Sequence, residues 1–116
     1  MPRVVYLPRA QDEIRALPAE LRPAVLEHLS RLAAHYQTYS RPTCFPHAPG
    51  LLSALWCRHG DGRATLVEVH FRLEVRDDLI AVRRVILVPL DSLPYYAANP
   101  AEFHASVNEG WPVVDL

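Results

Sequence analysis

The sequence predicts an α+β protein with the order β-α-α-β-β-β, in which an antiparallel sheet carries two helices on one face and a short C-terminal helical tail follows. Every second residue from Val67 to Val75 is apolar, a period typical of a strand with one buried face. Apolar residues at helical spacing run through 21–36. Three strand-like runs then follow one another through short connections, which favours an antiparallel meander.

The composition predicts one globular domain with a single core. The chain has 116 residues, of which 50% are hydrophobic and 22% are charged, values typical of folded rather than disordered proteins. The first residues lack the pattern of a signal peptide, and no apolar run is long enough to span a bilayer. We therefore expect a cytoplasmic protein without membrane contacts, whose two cysteines are reduced thiols.

The charges are distributed unevenly along the chain. Residues 1–84 contain all twelve arginines and nine acidic residues, whereas residues 85–116 contain four acidic residues and no arginine. We expect a folded domain at 1–90 and an acidic C-terminal extension with a short helix at 91–116. Lysine does not occur. Arginine favours bidentate contacts to phosphate or carboxylate, but a GC-rich genome explains the lack of lysine better.

The N-terminal half begins with a strand and a short helix. Residues 3–7 are β-prone and end at Pro8. Ala10, Ile14 and Leu17 then recur at helical spacing until Pro18 breaks the helix.

A longer helix follows, with Pro23 in its opening turn, where the missing N–H costs little. Its apolar stripe consists of Leu21, Ala24, Val25, His28, Leu29, Leu32 and Tyr36. A histidine on such a stripe is interpreted as a core-edge residue rather than a ligand.

The C-terminal half contains the three meander strands. Residues 37–50 form a proline-containing loop, and residues 51–59 resume a β pattern before a turn at 60–62. The strand at 79–88 is apolar on both faces, which places it inside the sheet. Asn99 followed by Pro100 predicts a helix start, and Gly110 its end.

A two-residue turn at Asp77 and Asp78 predicts the register of the last hairpin. This register brings apolar side chains together, in the pairs Val75–Ile80, Leu73–Val82, Val69–Ile86 and Val67–Val88. It also places Arg72 opposite Arg83 on the polar face, in one row with Glu68, His70 and Glu74. Opposed arginines repel, so either neighbouring carboxylates on a solvated face or a bound anion such as phosphate must neutralise them.

Arg84 falls on the apolar face in this register, opposite Phe71. A charge at such a place needs a partner, and we expect either a carboxylate such as Glu13 or a side chain that reaches the rim. A loop of odd length would instead turn Arg84 outward, at the expense of the apolar pairing.

Two histidines and two cysteines have the residue types of a zinc site, in Cys44-x2-His47 and Cys57-x-His59. The second pair lacks the turn that structural zinc sites use. We therefore predict neither a metal nor a cofactor.

Several segments resemble the RelE/ParE toxin superfamily: Ile14–Arg22 between two helices, and Leu55-Trp56 followed by Gly60-Asp61-Gly62-Arg63. The order of elements agrees, and the resemblance covers roughly residues 3 to 88. It implies a type II toxin that a cognate antitoxin protein neutralises. Members of the RelE branch cleave mRNA on the ribosome, whereas members of the ParE branch poison DNA gyrase without nuclease chemistry.

The resemblance also implies site residues. Arg63 matches the turn arginine that contacts the scissile phosphate in RelE-like enzymes, although Gly62 replaces the family's tyrosine. Tyr96 lies near the position of a second family tyrosine, but the family's closing arginine is missing after Val88. Arg58 and His59 would represent the basic, substrate-binding residues of the preceding strand.

Cleavage by a 2′-OH requires a base, an acid and a cation on the phosphate. We therefore expect the catalytic residues to be Arg63, His70, Arg72 and Arg83, with Arg58, His59 and Tyr96 binding substrate. His70 or His59 could titrate near neutrality. A net charge of −1 is poor for a nuclease, unless the acidic extension folds over the sheet and masks its arginines. The alternatives are a gyrase inhibitor and a non-toxic protein-interaction module.

Overall fold

The computed structural model describes residues 1–42, 50–60, 63–89 and 113–116. The helices are α1 (Pro8–Arg15), α2 (Arg22–Ser30) and α3 (Leu32–Tyr39). The strands are β1 (Arg3–Tyr6), β2 (Ser40–Pro42), β3 (Leu51–Gly60), β4 (Arg63–Glu74), β5 (Leu79–Pro89) and β6 (Val113–Asp115). All six strands belong to one sheet, ordered β1-β5-β4-β3-β2, and β6 pairs with β3.

The sheet confirms the predicted α+β class and the meander of β3, β4 and β5, which are antiparallel. Two strands depart from the expected antiparallel arrangement. The N-terminal strand β1 runs parallel to β5, and β6 runs parallel to β3. Parallel pairing of β1 is possible because three helices and three strands separate it from β5, which gives the chain enough length for a crossover.

The helix predicted over 21–36 is divided into α2 and α3 at Arg31. The Arg31 N–H donates to the carbonyl of His28, and the Ala34 N–H donates to that of Arg31, so the chain tightens to i→i+3 bonds at this point. Neither proline nor glycine marks the break in the sequence. The predicted apolar stripe is nevertheless confirmed, since its members lie buried or half-buried along both helices.

The core lies between the helices and one face of the sheet. Val67, Val69 and Phe71 of β4 are fully buried there. The ring of Tyr36 in α3 meets Phe71 edge to face, with 6.5 Å between ring centroids and 85° between planes. The other core members are Ala10, Leu17, Leu21, Val25, Leu29, Leu32, Ala54, Trp56, Ile80, Val82 and Val85.

The hairpin turn is longer than predicted. Glu74 pairs with Leu79, so residues 75–78 form a four-residue turn rather than the two-residue turn expected at Asp77 and Asp78. Asp78 has φ 49°, in the left-handed region that a short polar side chain tolerates. The predicted pairing of Val75 is therefore wrong, and Val75 is 79% exposed in the turn.

A β-bulge in β5 shifts the register of the hairpin by one residue. Phe71 pairs with Val82, whereas His70 pairs with Arg84, so Arg83 is the extra residue. The predicted pairings of Arg72 with Arg83 and of Arg84 with Phe71 are wrong; the longer turn places Arg72 opposite Ala81. The other predicted apolar pairs are wrong as well, since Leu73 lies opposite Ile80, Val69 opposite Val85 and Val67 opposite Leu87.

The order Val82-Arg-Arg-Val85 explains why the bulge forms. In a regular strand, two residues three positions apart face opposite sides. The extra residue restores both valines to the core face, where both are buried. The hydrophobic pattern thus determines the register, and Arg83 is left exposed at the bulge.

Two short strands share the outer edge of β3. β2 pairs with 52–54, and β6 pairs with 55–57. β6 belongs to the segment predicted as an acidic extension at 91–116, but the helix predicted at 99–110 lies outside the described residues. In the described part of the chain, no helix is long and apolar enough to cross a bilayer.

Candidate functional site

Three polar side chains meet on the face of the sheet away from the core. The register of β3 and β4 places Ser53 opposite His70. The Nε2 atom of His70 lies 2.9 Å from Oε1 of Glu68, two residues earlier on the same strand. The Ser53 hydroxyl donates to the same oxygen over 3.5 Å. This Ser53–Glu68–His70 cluster lies where the sequence predicted a polar row.

The polar row is buried here rather than solvated, which corrects the expectation of an open face. His70 is 6% exposed and Ser53 is 1% exposed, while Glu68 is half-buried. Buried polar groups must be hydrogen-bonded to offset the loss of water, and the shared carboxylate oxygen meets this need for both neighbours.

The hydrogen bond from His70 lowers the pKa of Glu68; burial opposes this shift, and the bond from Ser53 adds to it. Glu68 is therefore ionised at neutral pH and acts as the acceptor. Because a carboxylate only accepts, the Nε2–H of His70 donates this hydrogen bond. In the neutral ring, Nδ1 is then the nitrogen without a proton. The cluster contains the elements of an acid–base pair.

The structure separates the two arginines that were expected to face each other. Arg72 lies two residues beyond His70, opposite Leu51 on β3, and is half-buried. Arg83 protrudes at the bulge, one position from the His70–Arg84 pair, and is exposed. His70, Arg72 and Arg83 thus lie close together in the ladder, but Arg72 and Arg83 are not directly opposed.

Arg58 contacts the helical layer. Its Nη1 donates to the carbonyl of Glu20 over 3.1 Å, which joins β3 to the α1–α2 connection. His59 pairs with Ala64 and Gly60 with Arg63 in the ladder. The side chains of His59 and Arg63, and the whole of Tyr96, lie outside the described part of the structure. The predicted roles of these three residues remain predictions.

Arg84 has the partner that the sequence suggested. Its Nε lies 3.0 Å and 3.1 Å from the two carboxylate oxygens of Glu13, and its Nη2 lies 2.9 Å from Oε2. Glu13 also accepts the Val85 N–H over 3.1 Å. The expected carboxylate cap is confirmed, although Arg84 lies opposite His70 rather than on the apolar face.

Arg22 has a structural role that sequence reasoning missed. Its guanidinium donates to the carbonyls of Ile14, Arg15 and Leu17 at distances of 3.3, 2.9 and 2.8 Å. These carbonyls lie at or just beyond the end of α1, where i→i+4 partners are lacking, and that of Ile14 accepts the Leu17 N–H as well. A signal existed in the sequence, because no glycine follows this helix to form a C-terminal cap.

The described residues contain no cluster of three or more histidine, cysteine or acidic residues that could hold a metal ion. Burial, with a contribution from the charge of Asp115, raises the pKa of Cys57 to about 11. A thiol of this pKa is not readily deprotonated to a metal-binding thiolate. Cys44 and His47 of the weak zinc pattern fall outside the described residues.

The fold resembles a solved structure. A chain of the toxin–antitoxin complex RelBE2 from Mycobacterium tuberculosis aligns with a TM-score of 0.57 and 21% sequence identity, covering 73% of this chain and 96% of the other. No family model and no curated protein matches the sequence. The likeness confirms the RelE-like fold expected from the sequence. At this identity it establishes the fold alone.

Proposed function

We propose that this protein is the toxin component of a toxin–antitoxin pair and that an antitoxin protein neutralises it. The observation that carries this proposal is the fold shared with a chain of RelBE2 over nearly the whole length of that chain. The sequence motifs at Ile14–Arg22 and Leu55–Arg63 support the same assignment.

We further propose that the toxin cleaves mRNA on the ribosome. The support is the Glu68–His70 acid–base pair, with Arg72 next on the same face and exposed Arg83 beside it. In this reaction the imidazole of His70 accepts the 2′-OH proton as the 2′-oxygen bonds to phosphorus, the P–O5′ bond breaks, and the leaving 5′-oxygen takes a proton from water; arginines, including Arg63, stabilise the phosphate. His59 and Tyr96 bind the substrate. Arg58 lies on the helical face of β3, with Ala54 and Trp56, and would reach an RNA at this site only after release from the Glu20 carbonyl and around the edge of the sheet.

This chemistry requires a conformational change. His70 is 6% exposed, so an RNA phosphate cannot reach its ring while the face is closed. The proposal therefore includes opening of this face on the ribosome. One hypothesis is that the acidic extension covers the arginines of the sheet. Three of its acidic residues, Asp91, Glu102 and Glu109, allow a test of this hypothesis. Their replacement by Asn, Gln and Gln should increase RNA binding; unchanged binding would reject masking while leaving the toxin assignment intact.

The deciding experiment is controlled expression followed by mapping of mRNA 5′ ends. We expect growth arrest and new cleavage sites within translated codons. Arg83→Ala should reduce cleavage by about tenfold or more, since it removes a cation on the phosphate, without unfolding the protein, because Arg83 is exposed at the bulge. Arg76→Ala is the matched control, since Arg76 is an exposed arginine in the turn of the same hairpin. Equal cleavage by wild type and Arg83→Ala would exclude a role for Arg83.

Inhibition of DNA gyrase is the second candidate. It is favoured by the engagement of Arg58 with the Glu20 carbonyl and by the net charge of −1, neither of which suits an RNA-binding face. Purified protein would then inhibit supercoiling by gyrase, and induced cells would show DNA damage with intact mRNA. Absence of any arrest would instead support the non-toxic interaction module. Co-purification with the product of a neighbouring gene tests the antitoxin assignment in each case.

A further inference from the structure

A cleft of about 200 Å³ opens on the helical side of the sheet. Its floor contains Ala54 and Trp56 of β3, and Val114 of β6 forms part of its wall. Arg31, His35 and Tyr39 lie at its exposed rim. The Ser53–Glu68–His70 cluster lies on the other face, because neighbouring residues of a strand point to opposite sides. The cleft is therefore separate from the proposed catalytic face.

Aromatic rings dominate the lining of this cleft. The His28 ring packs on the indole of Trp56 with 5.5 Å between centroids and a tilt of 53°. At the rim, His35 and Tyr39 meet edge to face with centroids 5.8 Å apart. Trp56 is 3% exposed and supports the His28 ring from below, whereas His28 is half-buried and Tyr39 is exposed, so the accessible ring surface belongs to these two side chains. Nδ1 of His28 donates to the carbonyl of Ala24 over 3.0 Å, which fixes the orientation of this imidazole.

The cleft favours an anion. The described lining residues include the guanidinium of Arg31 and no carboxylate. Arg31 pairs with Glu27 one helical turn earlier, and both side chains are more than half exposed. An exposed pair of this kind contributes little to stability, so the guanidinium can exchange this partner for a ligand at small cost.

The size of the cleft limits the ligand. Pockets for drug-sized molecules usually measure about 300–1,000 Å³, so this cleft accommodates a single ring system. We propose that it binds a mononucleotide unit, with the base against the rings of His28 and Tyr39 and the phosphate on Arg31. Base–aromatic stacking and arginine–phosphate contacts are the interactions that these groups provide. The proposal does not depend on the toxin assignment.

Calorimetric titration of the full chain with AMP and UMP tests the proposal. We expect dissociation constants on the order of 1 mM or tighter. Nucleosides should bind more weakly, and inorganic phosphate alone should not bind measurably. Arg31→Gln should weaken nucleotide binding about tenfold while nucleoside binding stays unchanged, because only the phosphate contact is lost. Tyr39→Ala should weaken the binding of both ligands.

Arg15→Gln is the matched control, because Arg15 is also an exposed helical arginine paired with a nearby acid, Asp12. Its titration should equal that of the wild type, and circular dichroism should show every variant folded. A trinucleotide that binds more tightly than AMP would show that the cleft binds nucleotides within a nucleic-acid strand. Equal affinities of the trinucleotide and AMP would show that the ligand is the free nucleotide. Lack of nucleotide binding, or equal losses in the Arg31 and Arg15 variants, would overturn the proposal.

Discussion

Glu13 and Arg84 are 71 residues apart and form a bidentate ion pair across the open edge of the sheet. β1 ends at Tyr6, and its last bond to β5 is from the Leu7 N–H to the Val82 carbonyl. Beyond this point β5 has no neighbouring strand on this side among the described residues, and the Glu13 carboxylate of α1 accepts the Val85 N–H instead. A helix side chain thus protects a stretch of sheet edge that would otherwise offer unpaired backbone groups.

We expect Glu13→Ala to lower the free energy of unfolding by about 1–3 kcal/mol, because it leaves a half-buried arginine and a backbone N–H without their acceptor. Urea denaturation measures the loss. Asp12→Ala is the matched control: it removes an exposed ion pair with Arg15, and its effect should stay below about 1 kcal/mol. Equal effects of the two substitutions would show that the Glu13 contacts add no stability.

The stability should fall in acid. Burial alone would raise the pKa of Glu13, but the hydrogen bonds from Arg84 and Val85, with the charges of Arg84 and Arg9, together lower it. The bond from His70 lowers the pKa of Glu68. A carboxylate with a depressed folded pKa stabilises the protein fully above its ordinary pKa, and this contribution disappears as the pH falls through the folded value.

We therefore expect little change from these two groups above about pH 5 and a progressive loss below about pH 4. Urea denaturation across this range measures the curve. The double variant Glu13→Gln and Glu68→Gln should show a shallower acid limb than the wild type. An unchanged slope would show that other carboxylates cause the acid loss.

Lysine should not restore the stabilising role of Arg22. Its planar guanidinium reaches three carbonyls at the end of α1, whereas an ammonium cannot reproduce this geometry. We expect Arg22→Lys and Arg22→Leu each to lower the free energy of unfolding by about 1–3 kcal/mol, as measured by urea denaturation. Full stability of the lysine variant would show that charge near the helix terminus is sufficient.

Deletion of Arg83 should leave the hairpin intact. Removal of the bulge residue makes the ladder continuous from Phe71–Val82 through His70–Arg84 to Val69–Val85, with the same residues on the core face. We expect a folded protein with a stability within about 1 kcal/mol of the wild type. Deletion of Ile86 is the control, because it shifts the following residues to the wrong face. Backbone amide NMR spectra distinguish the outcomes, and unfolding of both variants would contradict this explanation of the bulge.

The Cys57 thiol should resist alkylation. It is fully buried, and its pKa of about 11 leaves little thiolate at pH 8. In a Cys44→Ser background, iodoacetamide should react with Cys57 at a rate that rises steeply only across the urea unfolding transition. Rapid labelling without urea would show that the sheet opens locally around Cys57.

Periodicity predicted the fold well, because burial determines which residues face the core. The stripe of α2 and α3 and the alternation of β4 were both readable in this way. The hairpin register could not be predicted in this way. It depends on the left-handed backbone of Asp78 in the turn and on Arg83, the bulge residue that has no partner in the β4–β5 ladder. The partner of Arg84 was predictable because a charge beside a core must be compensated, whereas the burial of His70 depends on packing that no local pattern encodes.

The outer edge of β3 has a consequence for synthesis. β2 is made before β3, but β6, the neighbour of Leu55, Trp56 and Cys57, is made after β5. During translation, β6 therefore cannot pair with this part of the edge until residues 113–115 leave the ribosome tunnel. Nascent chains on neighbouring ribosomes could pair through such an edge. A slow codon late in the gene would prolong this vulnerable interval, whereas one before β3 would have no such effect.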